Sequence, residues 1–188
     1  MKLPFHVRNR AFDEAIQQLR DGRPGESGYG RRIALVLTIP AFDDPVARDI
    51  RRSASGELYV VRTLWQRALD AFSSTPAPRV VAFGPRPVAA ALELLATRRP
   101  SLVSTRVAVD PDALDGLLES VASATIPCHV HQPEPPLDAT VYEITFGDEL
   151  NETRYRWAGR PPEPWAALGT FASGLIRLVD EPARAGAR

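Results

Sequence analysis

The stretch from Leu137 to Val179 constrains the fold most, because it predicts a β-hairpin, a proline-rich elbow and an amphipathic helix in direct succession. Two segments alternate aromatic or β-branched residues with polar ones: Tyr142, Ile144 and Phe146 in the first, and Thr153, Tyr155 and Trp157 in the second. A period of two is typical of strands with one buried face. We therefore predict two paired strands that share an aromatic face.

The length of the hairpin connection decides which side chains share that face. A five-residue connection after Phe146 would place arginines among the aromatic residues, whereas four or six residues place Glu143 opposite Arg154 or Arg156. We expect an even-numbered connection. Glu143 would then form a cross-strand ion pair, and we expect Glu143→Ala to cost under about 1 kcal/mol, as is usual for surface pairs.

The segment after the hairpin supplies a cover for the aromatic face. Three prolines, Pro161, Pro162 and Pro164, keep the chain extended and place the start of the helix near Glu163. Apolar residues then recur at steps of three and four, a spacing that predicts one apolar helical face. They are Trp165, Leu168, Ala172, Leu175 and Val179.

The rest of the chain predicts alternating helices and strands. We predict a helix over Ala11–Arg20, a loop over Gly22–Gly30, a central strand over Arg31–Ile39, a charged loop over Ala41–Ser55, and a strand from Glu57 that turns into a helix near Thr63. A linker-like stretch, Ser73–Pro78, precedes a strand over Arg79–Phe83, a helix over Arg86–Arg98 and a strand over Leu102–Val109. Such a run usually forms a parallel crossover, and an antiparallel arrangement is also open. Asp110 is predicted to cap a further helix.

These elements predict a single α+β domain over residues 1–180, with a possible lobe junction near 73–78 and a disordered tail over 181–188. The domain is expected to contain a mainly antiparallel sheet of five or six strands, with helices packed chiefly on one face.

Composition narrows the possible partners. The 23 basic residues balance 23 acidic residues, which removes the overall electrostatic argument for a nucleic acid or an anionic membrane as partner. All basic residues except Lys2 are arginine, which is typical of a GC-rich genome. The first residues lack the apolar run of a signal peptide, and a single Cys128 excludes an internal disulfide. We expect a cytoplasmic protein without a cofactor whose partner is another protein; its oligomeric state stays open.

The cluster of metal-ligand residue types is Cys128, His129 and His131. In an extended chain the two histidines project to the same side, and Glu134 or Asp138 would be needed to complete an open zinc site. The competing interpretation is a loop that carries two exposed imidazoles. The stretch Ala41–Ser55, with its paired aspartates, is predicted to be a solvated surface loop.

Gly84 and Arg86 lie between a predicted strand and a helix N-terminus, a position that favours anion binding. Two prolines in the same turn remove N–H donors, so a structural turn is the competing interpretation. A candidate partner-binding patch consists of Trp157, Arg160, Pro161 and Pro162, since aromatic residues and arginine dominate interface hot spots.

The order of elements from residue 110 to residue 175 resembles small bacterial proteins of unknown function and is similar to emfourin-type protein inhibitors of thermolysin-like proteases. The resemblance rests on Asp110–Val121, Asp138–Phe146 and Arg154–Leu175, under half of the chain. The resemblance permits an inhibitory role. Emfourin-like proteins are much shorter, nothing before Pro100 has a counterpart, and no inhibitory residue carries over.

Three functional hypotheses follow. The first is a non-enzymatic protein-binding module with an accessory, immunity-like or inhibitor-like role. The second is a metal-dependent or small-molecule enzyme that uses Cys128, His129 and His131, and the third is an anion or nucleotide binder at Gly84–Pro87.

Overall fold

The computed structural model describes residues 5–22, 30–67, 70, 100–132, 134, 136, 138–147 and 151–185, with the backbone alone for 5–11 and 182–185. The described helices are α1 (Phe5–Asp21), α2 (Pro111–Ala122) and α3 (Ala166–Ala185), and a 3-10 turn over Glu163–Trp165 leads into α3. The described strands are β1 (Arg31–Ile39), β2 (Val46–Arg52), β3 (Leu58–Trp65), β4 (Leu102–Val107), β5 (Val141–Phe146) and β6 (Thr153–Ala158).

The six strands form one sheet in the order β4-β3-β2-β1-β5-β6, and every neighbouring pair is antiparallel. The predicted α+β class and the mainly antiparallel sheet are therefore confirmed. β1 lies in the interior of the sheet, between β2 and β5, as its continuous apolar sequence predicts.

The described helices cover both faces of this sheet. α2 and α3 pack on the face that carries Val36, Ile144 and Trp157. On the opposite face, Ile16 and Leu19 of α1 pack in a second apolar cluster with Leu37 and other strand residues. A helical pattern in the sequence indicates that one side of a helix is buried, but it does not indicate which face of the sheet buries it.

The hairpin formed by β5 and β6 has the predicted register. Phe146 lies opposite Thr153, so the connection has the even length that we expected, and Glu143 lies opposite Arg156. Tyr142 lies opposite Trp157, and their rings stack with centroids 5.5 Å apart. This face packs against the apolar stripe of α3, whose Phe171 and Leu175 are fully buried.

Two local predictions in the first half are wrong. β2 lies inside the predicted loop Ala41–Ser55, and β3 continues as a strand through Trp65 where a helix was expected to begin near Thr63. The charges in β2 suggested a solvated loop, yet Arg48 and Asp49 are 3% and 6% exposed. Asp180 of α3, distant in the sequence, neutralises Arg48, while Arg32 of β1 and the neighbouring Arg51 of β2 neutralise Asp49.

The C-terminal half follows its predicted boundaries more closely. Asp110 caps α2, because its carboxylate accepts a hydrogen bond of 3.1 Å from the backbone N–H of Asp112. The elbow leads into a helical turn at Glu163, as predicted. α3 continues to Ala185, beyond the predicted end of the domain at residue 180.

The possible junction near 73–78, the strand over 79–83 and the helix over 86–98 lie outside the described residues. The strand that follows is described, and it pairs with β3 in an antiparallel manner.

Candidate functional site

A groove of about 910 Å³ lies beside the proline elbow. We call it the elbow groove. Its lining comes from the end of β6 and the elbow, from one side of α3, and from the segment before β5: Ala158, Gly159, Arg160, Pro161, Pro162, Glu163, Ala166, Gly169, Thr170, Ser173, Gln132, Glu134 and Pro136.

The turn after β6 directs the chain into the elbow. Gly159 has a φ of +69°, a conformation that side chains with a Cβ rarely adopt, and its N–H donates to the carbonyl of Thr140 at 2.9 Å. The chain therefore turns away from the sheet directly after β6 ends at Ala158. Arg160, the next residue, is exposed to solvent at the rim of the groove.

The elbow is held against α3 by close packing. A Cβ built on Gly169 would lie 2.5 Å from Cγ of Pro161, so the glycine allows the proline ring to approach the helix backbone. The N–H of Trp165 also donates to the carbonyl of Pro162 at 2.8 Å, which closes the turn at the start of the helix. Since proline has a fixed φ and no N–H, this wall of the groove is ordered before any partner arrives.

The segment before β5 forms another part of the lining, and two hydrogen bonds position it. Nε1 of Trp165 donates to the carbonyl of Pro127 at 2.9 Å, and Nε2 of Gln132 donates to the carbonyl of Arg156 at 2.7 Å. These bonds tie the segment to the elbow and to β6, so three parts of the chain meet around the groove.

The groove lining is chemically mixed. Arg160 supplies a positive charge, and Glu134 and Glu163 supply negative charges. The hydroxyl groups of Thr170 and Ser173 donate to carbonyls of their own helix, at 3.1 Å to Ala166 and 2.9 Å to Gly169. Their oxygen lone pairs still point away from those bonds and are able to accept a hydrogen bond from a ligand.

Three of the four predicted partner-binding residues belong to this groove. Arg160, Pro161 and Pro162 line it, whereas Trp157 is 3% exposed and packs against Tyr142 and Trp165 in the core. The side chain of Trp157 is therefore not on the accessible surface. The contribution of α3 was not among the predictions, although small residues alternate with apolar ones along this helix in the sequence, at Ala166, Gly169, Thr170 and Ser173.

The candidate metal ligands are not brought together. Cys128, His129 and His131 are all exposed, and within the described part of the chain no group of three or more His, Cys, Asp or Glu side chains is placed to hold a metal ion. The candidate anion site at Gly84 and Arg86 lies outside the described residues.

Two buried charge clusters lie on opposite faces of the sheet. Arg48 and Arg62, adjacent on β2 and β3, both hold the carboxylate of Asp180 on α3; the Arg62 contact is 3.1 Å. Burial alone would raise the pKa of Asp180, but hydrogen bonds from Arg48 and Arg62 and their positive charges hold it below its ordinary value. This cluster fixes the C-terminal part of α3 to the sheet.

The second cluster corrects the prediction for Glu143. Its side chain is 1% exposed, and both of its oxygens accept from Arg20 of α1, at 2.6 Å from Nε and 2.7 Å from Nη2. Arg154 is 3.7 Å away, whereas Arg156, which lies opposite Glu143 in the sheet, forms no ion pair with the described residues. The predicted position of Glu143 opposite Arg156 is confirmed, and Arg154 lies within ion-pair distance across the strands. The expected exposure of this pair is wrong, because α1 covers Glu143.

The chain matches no family model, no curated protein and no solved structure. The similarity to emfourin-type inhibitors stays a prediction. No helix among the described residues is long and apolar enough to cross a membrane.

Proposed function

We propose that this protein is a binding module that holds an extended segment of another protein in the elbow groove. The observation that carries the proposal is the convergence of Arg160, Pro161 and Pro162 with an exposed side of α3 in one groove. An accessory or inhibitor-like role is compatible with such a module, and the resemblance to protease inhibitors supports the inhibitor-like role.

The groove suits an extended segment because its walls are rigid and carry small side chains. Gly159 and Ala166 leave room for a partner backbone to approach closely, and the proline rings offer an apolar surface. A wall that is already ordered loses little conformational entropy on binding, so a larger part of the contact energy remains as affinity.

Arg160 is expected to orient the partner. It is exposed, and it makes no hydrogen bond or ion pair with the described residues, so its guanidinium donors are available to a carboxylate or to backbone carbonyls. Arginine at the rim of a preformed cleft is well suited to this task, since a planar guanidinium donates in two parallel directions.

The test compares the wild type with Arg160→Glu in affinity capture from a lysate of the source organism, alongside thermal melts of both proteins. Arg52→Glu is the control, because Arg52 is an exposed arginine at the end of β2 and does not line the groove. We expect both variants to melt within a few degrees of the wild type, since surface charge changes usually alter stability by under about 0.5 kcal/mol. Only Arg160→Glu should lose the captured partner.

A second pair of variants tests the groove by steric blocking. Thr170→Trp places an indole in the groove, and Arg177→Trp places the same group on an exposed position of α3 that does not line it. Loss of the partner with the first variant alone supports the groove as the site. Equal recovery by all four variants would refute it, and turnover of a substrate without any partner would favour the enzyme hypothesis.

A further inference from the structure

We propose that the outer edge of β6 accepts an acidic, extended segment of another protein as an added antiparallel strand. This site adjoins the elbow groove, whose lining includes Gln132 and Ala158, and it differs from the groove in using backbone groups of β6 and a separate pair of arginines, Arg154 and Arg156.

β6 is the last strand of the sheet as described, with β5 on its inner side. In an antiparallel pair, alternate residues direct both backbone groups to the neighbouring strand and the residues between them direct both away. The carbonyl of Arg156 accepts from the side chain of Gln132, which places the backbone of Arg156 on the outer side. Arg154 and Ala158 share this orientation, because they lie two residues away.

Among the described residues, one side-chain hydrogen bond meets the outward backbone groups of this edge. Gln132 satisfies the carbonyl of Arg156 at 2.7 Å. The structure shows no partner in the described residues for the N–H of Arg156 or for the outward groups of Arg154. An incoming strand would pair with these groups and replace the Gln132 contact.

The charges on β6 indicate that its partner carries negative charge. Arg154 and Arg156 both lie on the face of the sheet that carries Glu143, and both are exposed. Arg154 has Glu152 and Glu143 as partners, whereas Arg156 has no ion pair among the described residues. Carboxylates at alternate positions of an added strand would lie directly across from these arginines.

The same charges disfavour a second copy of this chain. Antiparallel pairing of β6 with a second copy brings arginines opposite each other in the registers that pair Arg154 with Arg156 or Arg156 with itself, and like charges directly opposite each other destabilise a strand pair. Charged edge strands are a common means of preventing such self-association. The occupant is therefore a different, acidic segment.

The experiment uses two synthetic peptides, one that alternates glutamate with threonine and one that alternates lysine with threonine. Binding to the full chain is measured by fluorescence anisotropy, and amide hydrogen exchange is followed by NMR with and without each peptide. We expect the acidic peptide to bind and to slow exchange at the amides of Arg154, Arg156 and Ala158, while the amides of Tyr155 and Trp157 are slow already in its absence.

Three variants separate the contribution of the arginine charge to peptide binding from the contribution of backbone hydrogen bonds. Arg156→Glu should weaken the acidic peptide about tenfold and favour the lysine peptide. Ala158→Pro keeps both arginines and removes one outward N–H. It should therefore weaken binding of the acidic peptide, which depends on strand pairing. Gln132→Ala frees the carbonyl of Arg156 and should strengthen binding.

The outcomes separate this edge from the elbow groove. Arg160→Glu should leave binding of the acidic peptide within twofold, whatever its effect on groove partners. Failure of the acidic peptide to bind, equal binding of both peptides, or protection confined to other amides would each overturn the edge proposal. The exchange pattern is measured on the wild type, so this conclusion does not depend on the folding of any variant.

Discussion

The ion pair between Arg20 and Glu143 provides the sharpest test of how α1 is fixed to the sheet. The carboxylate is 1% exposed and the arginine side chain 19% exposed, and two hydrogen bonds of 2.6 and 2.7 Å join them. The hydrogen bond with Glu143 is the largest influence on Arg20 and raises the pKa of its guanidinium, which stays charged at all accessible pH values.

Removal of either partner leaves the other charge in an unfavourable environment. Arg20→Ala leaves a buried carboxylate with Arg154, 3.7 Å away, as the remaining cation among the described residues, and breaking a buried pair in this way costs about 3–5 kcal/mol. Glu143→Gln should cost less, about 2–3 kcal/mol, because Arg20 is able to regain water at its partly exposed side.

A double variant distinguishes the contribution of the ion pair to the unfolding free energy from the destabilisation caused by an unpaired buried charge. Arg20→Met with Glu143→Met removes both charges and keeps most of the side-chain volume, so it should be more stable than Arg20→Ala. Urea unfolding of the wild type and the three variants gives the four free energies that the comparison requires. A cost below about 1 kcal/mol for Arg20→Ala would refute the assignment of Glu143 to a buried site.

Three further predictions concern the core, the charge cluster around Asp180 and the histidines. Trp157→Ala should lower the unfolding free energy by about 3–5 kcal/mol in urea and Phe146→Ala by less, because Trp157 is buried and Phe146 only partly so; equal costs would contradict this packing. The pKa of Asp180 is lower in the folded protein than in the unfolded chain, so its carboxylate stabilises the fold above about pH 3.9 and loses this effect as the pH falls through the folded pKa. Acid titration of stability should therefore show a shallower decline for Asp180→Asn than for the wild type, and identical slopes would count against the cluster. Protein purified without a histidine tag should contain substoichiometric zinc, and His131→Ala should leave the melting temperature nearly unchanged; stoichiometric metal that is lost with stability would reverse this prediction.

The C-terminal half was predictable because its local patterns agree with one another. The alternation in β5 and β6, the prolines of the elbow and the spacing in α3 each specify the same arrangement, and the register follows once arginines are kept off the aromatic face. The same agreement located Arg160, Pro161 and Pro162 at an exposed turn before the groove was known.

The first half was less predictable because its charges are satisfied by distant residues. Arg48 is accommodated in a buried strand because Asp180, far along the chain, meets it from α3. Asp49 is held by Arg32 of β1 and also by Arg51, two residues along β2. A local sequence window contains the charges of β2 but neither Asp180 nor Arg32, so its polarity indicates a loop where the fold contains a strand.

The groove itself needed the tertiary structure. Its lining comes from segments around residues 132–136, 158–163 and 166–173, and the contact of Pro161 with Gly169 depends on the angle at which the elbow meets α3. Neither the spacing of small residues on α3 nor the proline run indicates that the two lie side by side.

Site-specific photo-crosslinking from the elbow groove tests the central claim most directly. A photoreactive phenylalanine at Thr170, inside the groove, is compared with the same residue at Glu14, an exposed position on α1 that does not line the groove. Irradiation in cells of the source organism should give one discrete protein adduct from position 170 and none from position 14, and Arg160→Glu in the same chain should abolish it. The same adduct from both positions, or an adduct from position 170 that survives Arg160→Glu unchanged, would contradict the binding of a protein segment in this groove.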